Sequence, residues 1–305
     1  MNILNLINAL PGAVAQGLIW GIMAIGVYIT FRILDIADLT VDGTLCTGGA
    51  VCIMMMQSGQ NIWVSMAAAL AAGLLAGMVT GLLHTFMGIP AILSGILTQL
   101  GLYSVNLKIM GKANQAINVD KYDLLVSLRY IKGVPFYKNT ILIVSLTILL
   151  MILFLYWFFG TELGCSLRAT GCNDRMARAQ GINTDFNRVL GLMISNALVA
   201  FSGAFLSQYQ GFADVNMGRG AIVIGLAAVI IGEAVFGRIF RNFGFRLLAV
   251  AFGSIIYYFV LQIVIWMGID TDLLKLLSAA VVAVFLAIPT WKSRYFSKSF
   301  SKGGR

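Results

Sequence analysis

Apolar runs of roughly 20 residues recur along the whole chain, and each is long enough to cross a bilayer as a helix. No other feature limits the fold as much. A bilayer offers backbone polar groups no water partners, so such runs must be helical or closed into a barrel. The period-two alternation of a membrane barrel is absent, which leaves an all-α integral membrane protein. Of the 305 residues, 59% are hydrophobic and 11% charged, and the mean hydropathy is +0.90. The runs predict membrane segments at about 12–31, 43–57, 62–84, 90–110, 139–159, 188–208, 220–236, 246–267 and 273–290. That is one polytopic helical bundle over 1–305 with about 8–9 crossings. Pro90 and Pro289 fall at segment ends, where proline costs little.

Two segments, 43–57 and 220–236, are short and rich in small residues. A short span must be re-entrant, or be shielded where its backbone is interrupted. Each is preceded by a similar lead-in: Ala37-Asp38-Leu39-Thr40-Val41 before the first, Ala213-Asp214-Val215-Asn216-Met217 before the second. An offset of 176 positions separates Ala37 from Ala213 and carries 12–31, 62–84 and 90–110 close to the sixth, eighth and ninth segments. Two repeats, about 12–110 and 188–290, follow from this, and an odd number of crossings between them makes them inverted. Inverted repeats with interrupted segments at matching positions are a transporter signature.

Charge predicts the orientation. The net charge of +9 comes from basic residues in loops beside membrane spans, so it points to topology and not to nucleic acid. Arg238, Arg241 and Arg246 in one short loop, and Lys292, Arg294, Lys298, Lys302 and Arg305 in the tail 291–305, belong in the cytoplasm. With all nine segments crossing, this puts the N-terminus outside; with one short segment only dipping into the membrane, the N-terminus moves inside while the second half stays put. Loop 111–138 dissents, since Lys112, Lys121, Arg129, Lys132 and Lys138 would then be external. A folded external loop or a miscounted re-entrant segment would account for them. The N-terminus lacks the basic region and cleavage site of a secretory signal, so the first apolar segment is expected to stay as a membrane helix.

Between two apolar segments lies a polar insert, 161–187, holding Arg168, Arg175 and Arg178 among Ala169, Gly171, Ala177 and Gly181. Small residues permit close backbone approach and arginine pairs with acceptors, so the insert suits a short cytoplasmic helix that docks into a groove on a partner. The plainer reading is a basic loop that only orients the chain.

Catalysis is not indicated. There is no Walker motif, no zinc spacing, and one histidine, His84, with no triad partner. We therefore expect no catalytic residue, no metal and no directly bound cofactor. Cys46, Cys52, Cys165 and Cys172 read as reduced and structural. Glu233, at the end of an apolar run, suits a structural hydrogen bond or a partner contact better than proton coupling. Asp35, Asp38 and Asp42 gather before the first short segment; a salt-bridged loop with Arg32 one turn from Asp35 is the plain account. The functional account places Asp38, Thr40 and Asp42, with Asn216 in the second half, at the mouth of a translocation path. Gly73, Gly77 and Gly81 form a small-residue face for helix packing.

Leu167-Arg168-Ala169-Thr170-Gly171, then Asn173, Ala177, Gly181 and Ile182, resemble the cytoplasmic coupling segment of ABC-importer permeases in the branched-chain amino acid and ribose permease superfamily. The similarity continues into Gly232-Glu233-Ala234. Arg32-Ile33-Leu34-Asp35, Asp38 to Gly43, and Leu102-Tyr103-Ser104 with Asn106-Leu107 and Met110-Gly111 are similar to a subgroup linked to tryptophan or tyrosine import. The resemblance implies a bacterial inner-membrane permease that homodimerises around the path. It also implies a cytoplasmic ABC ATPase that uses the ATP, with Arg168, Ala169, Gly171, Asn173, Arg175, Ala177, Arg178 and Gly181 coupling to it. An external binding lipoprotein would deliver substrate. An ion- or proton-coupled secondary transporter is the alternative, since it too uses inverted repeats and broken helices. It would be expected to bury charges at mid-depth. A membrane enzyme or a scaffold is a third class.

Overall fold

The computed structural model describes residues 3–119, 121, 122, 124–131, 139–237, 239, 240 and 242–267, with single positions and short stretches between 273 and 287. Most of the expected segment 273–290, Pro289, the tail 291–305, and Arg238, Arg241, Lys132 and Lys138 lie outside the described residues.

Each apolar run that is described is helical. The chain runs α1 (Ile3–Tyr28), α2 (Val41–Gln57), α3 (Ile62–Thr85), α4 (Ala91–Met110) and α5 (Thr140–Phe158). The polar insert folds as α6 (Glu162–Cys172) and α7 (Asp174–Ala179), followed by α8 (Thr184–Gln210), α9 (Ala221–Phe236) and α10 (Phe243–Trp266). Five helical stretches are long and apolar enough to cross a membrane: Ala9–Ile33, Ile62–Thr85, Thr140–Phe158, Thr184–Gln210 and Phe243–Trp266. The protein is an all-α, multi-pass membrane bundle. Segment starts differ modestly from expectation, because side-chain caps set the true starts: Asn61, Asn139 and Asn183 each accept from a backbone N–H of the helix that follows. Pro90 directly precedes α4, as its missing donor allows.

Helix α1 lies at the centre of the bundle, with nearly every side chain from Ala15 to Thr30 buried. Its last turn widens to a π-helix over Ile29–Ile33. The packing exchanges between the halves: α3 runs along α8, and α1 runs along α10. The 176 offset relates these same two pairs. Gly73, Gly77 and Gly81 do form a packing face, each set against the α8 backbone around Asn196, Leu192 and Val189 respectively.

The two short helices begin at half depth. Thr44, in the first turn of α2, bonds Asn196, which lies midway along α8. The extended stretch 35–38 and the turn at 39–40 bring the chain back from the α1 terminus to that level. At the start of α9, Gly225 packs against Met23 and Val27, near the middle of the Ala9–Ile33 span. A non-helical lead-in therefore precedes each short helix, and among the described residues the interhelical connections fall alternately at two ends of the bundle. The end carrying 58–61, 111–131 and 211–215 is called the outer end below; that carrying 86–90 and 159–183 is the inner end.

The dissenting basic loop is folded. Strand β1 (Asn114–Ala116) pairs antiparallel with β2 (Phe212–Asp214), with Gln115 opposite Ala213. Ile117, Leu124 and Val126 are buried beneath it, a 3₁₀ turn spans Leu128–Ile131, and Lys121 rests over the Tyr122 ring. The described part of the loop thus packs over one end of the bundle, with the Ile117 N–H donating to the Gly211 carbonyl at 2.9 Å.

Candidate functional site

The half-depth junction is built on three acceptors. Asp38 is buried; its Oδ1 accepts from the Thr40 N–H at 2.9 Å and its Oδ2 from Asn196 Nδ2 at 2.7 Å. The second Asn196 amide hydrogen goes to the Leu192 carbonyl at 3.0 Å, and its Oδ1 accepts from Thr44 Oγ1 at 2.7 Å. The hydroxyls of Thr40 and Thr80 share a 2.8 Å bond. The side-chain polar groups of Asp38 and Asn196 are thus spent inside the protein, as burial demands. Asp38 and Thr40 fix the chain break between α2, α3 and α8 and are closed to the exterior.

Asp42 does something different. Its two carboxylate oxygens accept from the Gly220 N–H at 2.9 Å and the Ile222 N–H at 3.0 Å, the free donors at the start of α9. It also lies in the first turn of α2. One carboxylate therefore faces two helix N-termini, where the partial positive charges favour an anion. Gly218 sits on the Asp42 backbone so closely that a Cβ there would collide with the Asp42 carbonyl. Beside this junction Asn216 and Arg219 are exposed. Asn216 closes a tight turn, its N–H donating to Asp214 Oδ1 at 2.7 Å.

At the inner end, α6 is seated on the terminus of α1. Gly171 lies directly on the Ile33 carbonyl, and a Cβ would overlap that oxygen. Asn173 caps α7 by accepting from the Met176 N–H at 3.1 Å, Ala177 is buried, and Gly181 adopts a φ of +81° in the turn leading to α8. Arg178 is engaged internally: its Nε donates to Thr184 Oγ1 at 2.7 Å and it pairs with Asp185 at 2.9 Å. Arg168 turns back onto the bundle, over the Phe243 ring at 4.5 Å and the Phe159 ring at 5.7 Å; Ala169 beside it is half-buried. Arg175 points outward, accompanied by exposed Leu163, Met176 and Phe186. Those three apolar side chains escaped the sequence reading. Apolar residues in a polar insert were the available signal.

Arg32 does not take Asp35. It makes a forked pair with Glu233, at 2.6 and 2.9 Å, tying the π-helical end of α1 to the last turn of α9. Asp35 is exposed, in the left-handed backbone region with a φ of +56°. A planar guanidinium in bidentate register with a carboxylate is the strong form of this contact. We expect Arg32→Glu and Glu233→Arg each to lower the melting temperature in detergent, and the double exchange to recover most of the loss. Additive losses in the double variant would show that the pair contributes nothing.

Among the described residues no group of three or more metal-ligating side chains occurs, and Cys46, Cys52, Cys165 and Cys172 are free, the first two buried and the last two exposed.

A half-depth junction of two interrupted helices, with a helix pair seated on the inner end of the bundle, is the framework of a transport permease. The family model described as branched-chain amino acid transport system / permease component matches residues 10–288, and the chain belongs to that family. The tyrosine transport system permease protein of Clostridioides difficile is 37% identical over 280 residues, covering 92% of this chain and 91% of that one. The fructose import permease protein FruF of Bifidobacterium longum is 27% identical, covering 87% and 73%. Among solved structures, PsaBC from Streptococcus pneumoniae in complex with Fab matches with a TM-score of 0.55 at 17% identity, over 98% of this chain and 100% of that one. That likeness speaks to the fold alone.

Proposed function

We propose that this chain is the membrane subunit of an ATP-driven importer for a small polar solute, an aromatic amino acid such as tyrosine or tryptophan being the leading class. Two copies enclose the path in a bacterial inner membrane, an ATPase docks beneath α6 and α7, and an external binding protein delivers the solute. The observation that carries this reading is the exposed charge at half depth. Arg219 is exposed and Asp42 half-buried beside the start of α9, about midway along the bundle, and a charge facing lipid at mid-depth would be costly. A second copy and an aqueous path relieve that cost. Asp42, Arg219 and Asn216 then border the path, while Asp38 and Thr40 hold its frame. The amino-acid assignment draws on the tyrosine permease relative; the fructose relative shows that this fold carries other solutes.

Coupling falls to the outward face of the helix pair, where Met176, Phe186 and Leu163 give apolar contact and Arg175 gives charge. Gly171 passes any displacement of α6 directly to Ile33. The decisive experiment is affinity purification in mild detergent followed by uptake of labelled tyrosine and tryptophan into proteoliposomes. Co-elution of an ATPase and a binding protein, with uptake that requires ATP, is the expected result. Recovery of the permease alone, with uptake driven by an ion gradient, would overturn it in favour of a secondary transporter.

A further inference from the structure

A second polar site lies at the inner end of the bundle, away from the half-depth junction. Tyr28, Arg32, Arg168, Asn242, Phe243 and Arg246 line a cleft of about 450 Å³ between α1, α6 and α10. Three guanidinium groups converge there. Arg32 is balanced by Glu233, whereas no carboxylate is paired with Arg168 or Arg246 among the described residues. The Arg168 Nε is buried and has no hydrogen-bond partner. That nitrogen is closed off against the Phe159 and Phe243 rings, so a ligand in the cleft would meet the outer guanidinium nitrogens of Arg168, which have no acceptor among the described residues.

The shape of the surroundings says which kind of acceptor. Asn242, on the wall of this cleft, is also on the wall of an apolar crevice of about 240 Å³ between α5 and α10, lined by Leu149, Leu153, Tyr156, Phe245 and Leu248. Phe245 and Tyr156 are exposed on that side, at the level where aromatic rings anchor a helix to the membrane surface. An arginine-lined cleft and an apolar furrow thus share a wall at Asn242. A free anion would need the first feature and has no use for the second; an acidic protein partner would not reach along the second.

We propose that this cleft binds an anionic phospholipid, with the headgroup phosphate on Arg168 and Arg246 and an acyl chain in the α5–α10 crevice. Guanidinium forks match phosphate oxygens, and basic pockets between membrane helices are the general setting for such lipids. Because α6 carries Arg168 and is seated on α1, the lipid would hold α6 to the bundle and fix the geometry on which coupling depends. The lipid site itself does not depend on which solute is carried or on what drives transport.

The test is native mass spectrometry of the purified protein titrated with dioleoyl phosphatidylglycerol, dioleoyl phosphatidylethanolamine or inorganic phosphate, alongside melting temperatures. Phosphatidylglycerol should be retained and should raise the melting temperature, while the other two should not. Arg168→Gln/Arg246→Gln should weaken phosphatidylglycerol binding by about tenfold or more, and Lys108→Gln at the outer end should leave it unchanged. Stabilisation by inorganic phosphate without lipid preference would overturn the lipid assignment, as would equal binding of the two lipids. If the double variant does not fold, the wild-type lipid preference and the Phe245→Asp variant decide: unchanged phosphatidylglycerol binding by Phe245→Asp overturns the placement of the chain.

Discussion

Gly171→Trp is expected to abolish ATP-driven uptake in proteoliposomes while the protein still inserts and elutes as a single species. The reason is local and steric. At this position even a Cβ would overlap the Ile33 carbonyl oxygen and crowd the Leu34 Cα, so any larger side chain must lift α6 away from the end of α1. The membrane helices themselves should keep their packing, because α6 otherwise meets mainly α7 and the start of α8, with Arg168 on the Phe159 and Phe243 rings. The loss should appear as failed coupling: ATP hydrolysis by the recruited partner, if any remains, should no longer follow added solute. Gly171→Ala should lie between wild type and Gly171→Trp, because it asks for the smallest displacement. Wild-type uptake by Gly171→Trp would remove the α6–α1 contact from the transmission path.

The second large effect is expected on folding. Gly203→Leu should prevent accumulation of folded protein, read as the monodisperse peak in detergent size-exclusion chromatography. At the α2–α8 crossing, a Cβ on Gly203 would run into the Leu45 carbonyl, and one on Gly48 into the Ala200 carbonyl. Backbone lies on backbone at both points, with no flexible side chain to give way. Overpacking of this kind exceeds the usual range and should cost more than about 4 kcal/mol. Separating the two helices would also pull Asn196 from Thr44 and Asp38 and leave three buried polar groups short of partners. Gly101→Leu is the matched comparison: nothing lies within 4 Å of its Cβ position, and it should accumulate normally. Equal accumulation of both would show that the crossing is looser than its geometry.

What could be seen in the sequence was whatever depends on runs and local chemistry. The long crossings are visible because a bilayer demands apolar length. The short pair 43–57 and 220–236 stood out by length and small residues. The helical character of 161–187, and Gly171 as a point of close approach, follow from residue size alone. The partners of charged residues were another matter. Arg32 reads as the neighbour of Asp35, three positions away, yet takes Glu233, 201 positions away. Asp38 is satisfied by Asn196, 158 positions away, and Arg178 is held by Thr184 and Asp185 where the sequence suggests a free docking cation. Such pairings are decided by which helices lie side by side, and a single sequence carries no record of that. The three-residue strand Asn114–Ala116 has no periodicity to betray it; it exists because Phe212–Asp214 offers an edge.

The Asp42 contact has a further consequence for how the protein is made. The carboxylate is synthesised in the first half of the chain, and its donors at Gly220 and Ile222 belong to the second, 178 and 180 residues later. A ribosome delivers the N-terminal segments first, so helix α2 enters the membrane with its acid unanswered, and α9 later arrives to begin on an acceptor already in place. The start of α9 depends on an acceptor that the first half supplies. The junction is therefore finished late, as a clasp whose two parts are cast at opposite ends of translation.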